Sequence, residues 1–181
     1  MAGQADLDVE IRPIKPGDTL TGLSLGDPAY APLKTFAQKH AQTYERQSLA
    51  RTYGAFNPAK NNKLLGYITL VCGEVVVQDG EEALVAEEGL LYLYHQYPAV
   101  KIARLAVDHR IRAGGIGTAL VDLALGIAQE HICPHVGCRF VMVDSKKQSV
   151  AWYERRGFTL LDTAENKDRE EPVMFVDLSK L

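Results

Sequence analysis

The sequence predicts an α/β fold, a mixed central sheet flanked by helices, in one domain spanning residues 1–181. Three observations carry this. Apolar segments of strand character alternate with segments of helical period. No internal repeat, low-complexity tract or long linker divides the chain. With 46% hydrophobic and 24% charged residues, 181 residues are enough to bury one real core.

Val9–Ile14 alternates apolar and polar residues and reads as a first strand, closed by a Gly/Pro/Asp-rich loop. From Pro32 to Leu49, Leu33, Phe36, Ala37, Ala41 and Tyr44 recur at helical spacing, which predicts one amphipathic helix. Arg51–Phe56 and Leu64–Val77 are β-prone, and the Asn- and Pro-containing segment Asn57–Asn62 between them predicts an antiparallel hairpin. Glu81–Gly89 reads as a short helix, whereas Leu90–Tyr97 fits neither period cleanly. Val100–Val107 alternates little in its later half, so a strand buried on both faces is expected.

A helix follows from Ile116 to His131, with Ile116, Leu120, Leu123 and Ile127 on one stripe, then a strand over Arg139–Asp144. Gln148–Arg156 predicts a short helix stopped by Gly157, and Phe158–Leu161 and Val173–Leu178 read as closing strands.

Charge and cysteine content narrow the function classes. A net charge of −3 supplies no global field for nucleic acid. Locally, Lys101–Thr118 holds four bases (Lys101, Arg104, Arg110, Arg112) against one acid, Asp108, which suits an anionic ligand equally as it suits a solvated charged face. Three cysteines do not make a disulfide framework; they are expected to be buried thiols in a reducing compartment. No run approaches the roughly 20 apolar residues of a membrane span, so no membrane partner and a cytoplasmic setting are expected.

The strand–loop–helix unit from Val100 to His131 carries the chemistry. A tight turn opening a helix presents unpaired N–H groups and the positive end of the helix dipole, both suited to phosphate. Gly114, Gly115 and Gly117 remove side chains where a phosphate would approach the backbone, with Arg110 and Arg112 alongside. A P-loop is excluded because no lysine precedes Thr118. A dinucleotide fingerprint is excluded because Gly115-x-Gly117 leads to Leu120 and lies deep in the chain. A plain structural turn remains open on these residues alone.

Arg112-Ala113-Gly114-Gly115-Ile116-Gly117, after the strand Ala103–Val107, resembles the Arg/Gln-x-x-Gly-x-Gly/Ala motif of the GNAT superfamily of N-acetyltransferases. Ala151–Phe158, with Trp152, Tyr153 and Gly157-Phe158, is similar to the tyrosine-bearing helix of that family. Ala113 stands where a glycine is common, and Lys146 and Ser149 where many members have Asn and Ala. The resemblance implies a GNAT-like fold and acetyl-CoA as co-substrate, held by Leu105, Ala106, Val107, Arg112, Ala113, Gly114, Gly115, Ile116, Gly117 and Thr118. It implies that the Val107 N–H polarises the thioester and that Tyr153 is the acid, a phenol protonated at neutral pH.

The general base has no such candidate: Arg104 stands where some members carry a glutamate, and a guanidinium cannot accept a proton. His95 and His109 flank the strand and read as surface or packing residues. The His131–Cys138 segment matches no common zinc spacing, so no metal is expected.

Segments around Phe36–Tyr53, Leu65–Tyr67 and Pro98–Asp108 further resemble a toxin-like branch that acetylates the amino acid carried on tRNA. That would imply a basic groove, with Lys34, Lys39, Arg46, Arg51, Lys146 and Lys147 as candidates. The expected activity is acetyl transfer to a primary amine, small-molecule or macromolecular, with aminoacyl-tRNA as the alternative acceptor. A second copy of the chain is a candidate partner. A non-catalytic CoA-binding module is a further alternative, in which Tyr153 is structural.

Overall fold

The structure, a computed structural model, describes residues 8–79, 81, 85 and 92–181. The helix expected over Glu81–Gly89 lies, apart from Glu81 and Val85, outside the described residues. The elements are β1 (Glu10–Pro13), α1 (Ala31–Lys39), α2 (Ala41–Arg46), β2 (Arg51–Asn57), β3 (Lys63–Val76), β4 (Gln96–Val107) and α3 (Ile116–Gly126). They continue as β5 (Phe140–Asp144), α4 (Val150–Glu154), β6 (Thr159–Leu160), α5 (Ala164–Asp168) and β7 (Val173–Asp177). The strands hydrogen-bond in the order β1-β2-β3-β4-β5-β7-β6, with β4 and β5 parallel, which makes the sheet mixed as expected. Among the described residues no helix is long and apolar enough to cross a membrane.

The chain forms two compact units. One comprises the residues up to Val71 with Arg104–Leu123, the other Cys72–Ala103 with Ala124–Leu181. In the first unit the expected hairpin is present, paired from Arg51↔Leu70 to Asn57↔Lys63 with a bulge at Ala55/Phe56. Its turn works because Asn61 and Asn62 take φ of +53° and +52°, a left-handed region asparagine tolerates.

The helix expected over Pro32–Leu49 is instead two, α1 and α2, parted at His40 (φ −121°, ψ −30°). The apolar stripe survives the break: Phe36, Ala37 and Ala41 pack with Ile14, Leu23, Phe56, Leu64, Tyr67 and Ala106, and Leu33 and Tyr44 cover them. A one-residue kink that keeps the stripe on the core leaves no trace in the hydrophobic period.

In the second unit β5 is buried from Phe140 to Val143, between β4 and β7, and β7 separates β5 from β6. Phe140, Met142, Val173 and Phe175 pack with Val75, Tyr97 and Leu161. The helix α5 was not expected from the hydrophobic pattern. It is held by polar groups: Thr163 caps it by accepting from the Asn166 N–H. The buried Asn166 amide then donates to the Leu161 and Val173 carbonyls and accepts from the Val173 N–H.

Three further differences matter. The strand expected from Val100 begins at Gln96, and its later half is half-buried at Ala103, Arg104, Leu105 and Val107 rather than covered on both faces. The segment expected as a helix over Gln148–Arg156 begins with a 3-10 turn at Lys147–Ser149. The cysteines expected to be buried are not: Cys72 is exposed, and Cys133 and Cys138 are half-buried.

Candidate functional site

In the first unit the end of β4 is fixed against β3, where the Asp108 N–H donates to the Leu65 carbonyl at 2.8 Å. Successive strand residues turn their amides to opposite edges. The backbone groups of Leu105 and Val107 therefore point away from β3. The ladder between β4 and β5 runs from Ala99↔Phe140 to Ile102↔Val143, and β4 continues past it to Val107. Ala106 is buried in the core of this unit. On β3, a Cβ at Gly66 would come within 2.8 Å of the Ala106 carbonyl oxygen, so glycine is required for this close approach.

Asp108 organises the turn that follows. Its buried carboxylate accepts from the Ser24 N–H (3.2 Å), the Arg110 N–H (3.1 Å), and the Arg110 guanidinium at Nε (2.8 Å) and Nη2 (2.5 Å). The Arg110 hydrogen bonds, aided by the two backbone N–H groups, hold the carboxyl well below the usual carboxylate range despite burial. Arg110 is thus committed to Asp108. Arg112, an exposed residue, donates Nη2 to the Leu25 carbonyl at 2.9 Å and lies 5.6 Å over the Tyr30 ring.

Asp108→Asn is expected to cost about 1–3 kcal/mol, since two backbone donors lose a charged acceptor. A carboxyl with a depressed folded value stabilises fully above its unfolded value near ~4, and that contribution is lost as pH falls toward the folded value. Urea midpoints measured from pH 7 down to pH 3 check this: the gap between wild type and Asp108→Asn should be widest at pH 7 and shrink below about pH 4.

Past this clamp, Ala113, Gly114 and Gly115 are exposed. Gly115 takes φ +76°, a conformation that favours glycine, and its carbonyl accepts the Ala119 N–H to begin α3. Gly114 has no such backbone demand, and a Cβ there would meet nothing within 4 Å. Neither packing nor conformation calls for glycine at 114. Ile116 and Gly117 are buried in the first turn of α3 and Thr118 is half-buried, which sets the N-terminal end of this helix beside the glycine turn.

In the second unit Tyr153 sits on α4, which Gly157 ends at φ +83°, with the Phe158 N–H returning to the Tyr153 carbonyl at 3.2 Å. The residue is 6% exposed, its ring edge-on to Trp152 and Phe158. Burial pushes its hydroxyl above the usual phenol value, with the nearby Arg156 opposing. Buried tyrosines usually place their hydroxyl on a protein acceptor. Tyr67 does so, donating to the Leu33 carbonyl at 2.7 Å. The Tyr153 hydroxyl has no such partner among the described residues, and it is not among the polar atoms fully enclosed without one.

The remaining candidates have structural partners. His109 Nδ1 lies 3.0 Å from the Ser24 carbonyl oxygen, and His95 pairs with Asp79 at 3.0 Å. Cys133 Sγ donates to the Cys138 carbonyl, and no group of three or more His, Cys, Asp or Glu suited to a metal ion occurs among the described residues. Sequence reasoning missed Asp108 as an organiser, counting it only as the lone acid in a basic strip. Its signal was an Asp closing an apolar strand just before a turn, where a carboxylate caps backbone N–H groups.

No curated protein matches the chain. Among solved structures, a tyrosine-to-phenylalanine variant of KacT superposes with a TM-score of 0.76 at 22% identity, covering 95% of this chain and 96% of that one. AtaT complexed with acetyl-methionyl-tRNA matches with a TM-score of 0.74 at 20% identity, covering 96% of each chain. A tyrosine-to-phenylalanine variant of the AtaT toxin, bound to the C-terminus of the antitoxin AtaR and acetyl-CoA, matches with a TM-score of 0.72 at 20% identity, covering 96% and 95%. At such identities the likeness establishes the fold. The family model described as the acetyltransferase (GNAT) family matches residues 27–158, most of the sequence, and the chain belongs to that family.

Proposed function

We propose that this chain, as one domain, is an acetyl-CoA-dependent N-acetyltransferase that moves the acetyl group to a primary amine by direct transfer. The observation that carries the reading is Gly114: a residue bare of side chain for no reason of packing or conformation, beside the N-terminus of α3. The donors present fit a pyrophosphate: backbone N–H groups from Ala113 to Thr118 lie at the positive end of α3, with Arg112 beside them. Bound acetyl-CoA supplies an acyl thioester and a thiolate leaving group.

The residues then divide the work. The backbone of Leu105 and Val107, turned away from β3, pairs with the pantetheine arm, and the Val107 N–H donates to the acyl oxygen. Ala106 keeps this strand in place from the core. Tyr153 keeps its proton, because burial disfavours the phenolate. Its hydroxyl, held above the ordinary value of about 10, is a weaker acid than a thiol near about 8.5. Tyr153 therefore steadies the departing thiolate by a hydrogen bond, and the amine provides the proton that the thiol finally carries.

A finer reading, transfer to the amino group of an aminoacyl-tRNA, is favoured by the neighbouring AtaT structure in complex with acetyl-methionyl-tRNA. In the first unit Lys34, Lys39 and Arg46 are exposed and available to phosphates, whereas Arg51 is paired with Glu45 at 2.7 Å. Lys147 is exposed in the second unit.

Native mass measurement for co-purified CoA, followed by transfer assays on a panel of amines that includes charged tRNA, tests both readings. Turnover of at least one amine is expected, and transfer to tRNA should fall steeply with salt as phosphate contacts are screened. CoA binding without turnover of any acceptor would leave a binding module, and turnover confined to small amines would remove the tRNA reading.

A further inference from the structure

We propose that Arg104 receives an oxyanion, a phosphate or carboxylate, carried by the amine acceptor, so that the site selects amines bearing a negative charge. This rests on the acetyltransferase reading above. The described residues include four half-buried arginines: Arg12, Arg104, Arg139 and Arg156. Arg12 is paired with Asp18 at 2.7 Å, Arg139 with Asp177 at 2.7 Å, and Arg156 donates to the Trp152 carbonyl at 2.7 Å. Arg104 alone has no acceptor among the described residues.

What holds Arg104 is a face, not a charge. Its guanidinium carbon lies 3.8 Å over the Phe36 ring, and Phe36 is itself packed in the core with Tyr67 and Ala106. A cation over a ring face is attracted by the π-system and uses none of its five N–H donors on a hydrogen-bond acceptor. The one polar group the neighbouring Tyr67 offers is already used on Leu33. The Arg104 nitrogens are not among the polar atoms fully enclosed without a partner, so they meet water until an acceptor arriving with a ligand replaces it. A planar guanidinium fork placed over an aromatic ring suits two parallel hydrogen bonds to a phosphate or carboxylate better than a point charge would.

Position links this fork to the reaction. Arg104 lies three residues before Val107 on β4, so strand rise separates their Cα atoms by about 10 Å. An acceptor whose amine reaches the acyl carbon near Val107 would thus carry its oxyanion on the order of 10 Å away.

The test compares acceptors that differ only in the anion: an aminoacyl-adenosine with and without a 5′-phosphate, and a dipeptide acid with its amide. Each pair is assayed with wild type, Arg104→Met, which keeps the stem over Phe36, and Arg104→Lys. Wild type should favour the anionic member. Arg104→Met should raise KM for that member by about 10- to 100-fold, the worth of one charge-assisted pair, with kcat and the neutral member's KM within about twofold. Arg104→Lys should restore part of the loss, and the two arms distinguish phosphate from carboxylate.

An unchanged KM ratio in both arms would overturn the proposal. If the wild type turns over no amine, the acetyltransferase reading fails separately, and an NMR titration decides the role of Arg104. Its Nε–Hε resonance should then move with phosphoethanolamine and stay with ethanolamine; the same response to both would overturn the assignment.

Discussion

Gly114→Leu is expected to weaken CoA binding by about 100-fold while leaving the thermal midpoint within about 2 °C of wild type, because an exposed substitution away from packed groups changes stability by under about 0.5 kcal/mol. The affinity loss follows from the turn. On the proposed placement of the pyrophosphate, a side chain at 114 would stand between the ligand and the backbone donors of the helix entrance, and the loss of one or two charge-assisted hydrogen bonds at about 1.5–3 kcal/mol each amounts to that factor. The position is diagnostic because its surroundings are open and its backbone makes no demand for glycine.

Gly115 supplies the contrast. At φ +76° an alanine there incurs strain of about 1–2 kcal/mol, so Gly115→Ala should lower the midpoint by several degrees even without ligand. Calorimetric titration with CoA, alongside thermal melts of both variants, separates the two effects. Wild-type affinity in a folded Gly114→Leu protein would remove the pyrophosphate from this turn.

The two glycines also show what a sequence can and cannot convey. Gly114, Gly115 and Gly117 stand out as a group, and with the strand before them and the helix after they make the unit legible. Which glycine serves the fold and which keeps a surface bare depends on φ and on the atoms around each Cβ, and neither is written in the residue types. Arginines raise the same problem: Arg110 and Arg112 look alike in the basic strip. Only the fold shows that Arg110 is held by the Asp108 carboxylate while Arg112 meets a backbone carbonyl, that of Leu25.

The hairpin was readable from Asn57–Asn62 because asparagine in a left-handed conformation is a local property. The helix α5 was not, since Thr163 and Asn166 hold it through hydrogen bonds rather than an apolar stripe. The break at His40 escaped for the opposite reason, the stripe being continuous across it.

Tyr153→Phe is the substitution expected to cost most in rate and least in stability. Removing one preorganised hydrogen-bond donor to a developing negative charge costs about 10²–10³ in rate, so kcat should fall within that range with the affinity for CoA held. Stability should be unchanged or slightly higher, because the hydroxyl makes no hydrogen bond to the protein among the described residues while the ring keeps its edge contacts with Trp152 and Phe158. Tyr67→Phe is the control: it abandons the Leu33 carbonyl and should lose about 1 kcal/mol of stability.

The pH profile carries an independent sign. Burial raises the Tyr153 hydroxyl, so it stays protonated through the range in which a substrate amine loses its proton. In wild type kcat/KM should therefore climb with pH as free amine accumulates, and hold through about pH 10 rather than fall at the ordinary phenol value. A descending limb near that value would mean that the hydroxyl ionises like an exposed one. Full activity in Tyr153→Phe with CoA bound would return this residue to the role its aromatic neighbours alone suggest, an anchor for α4.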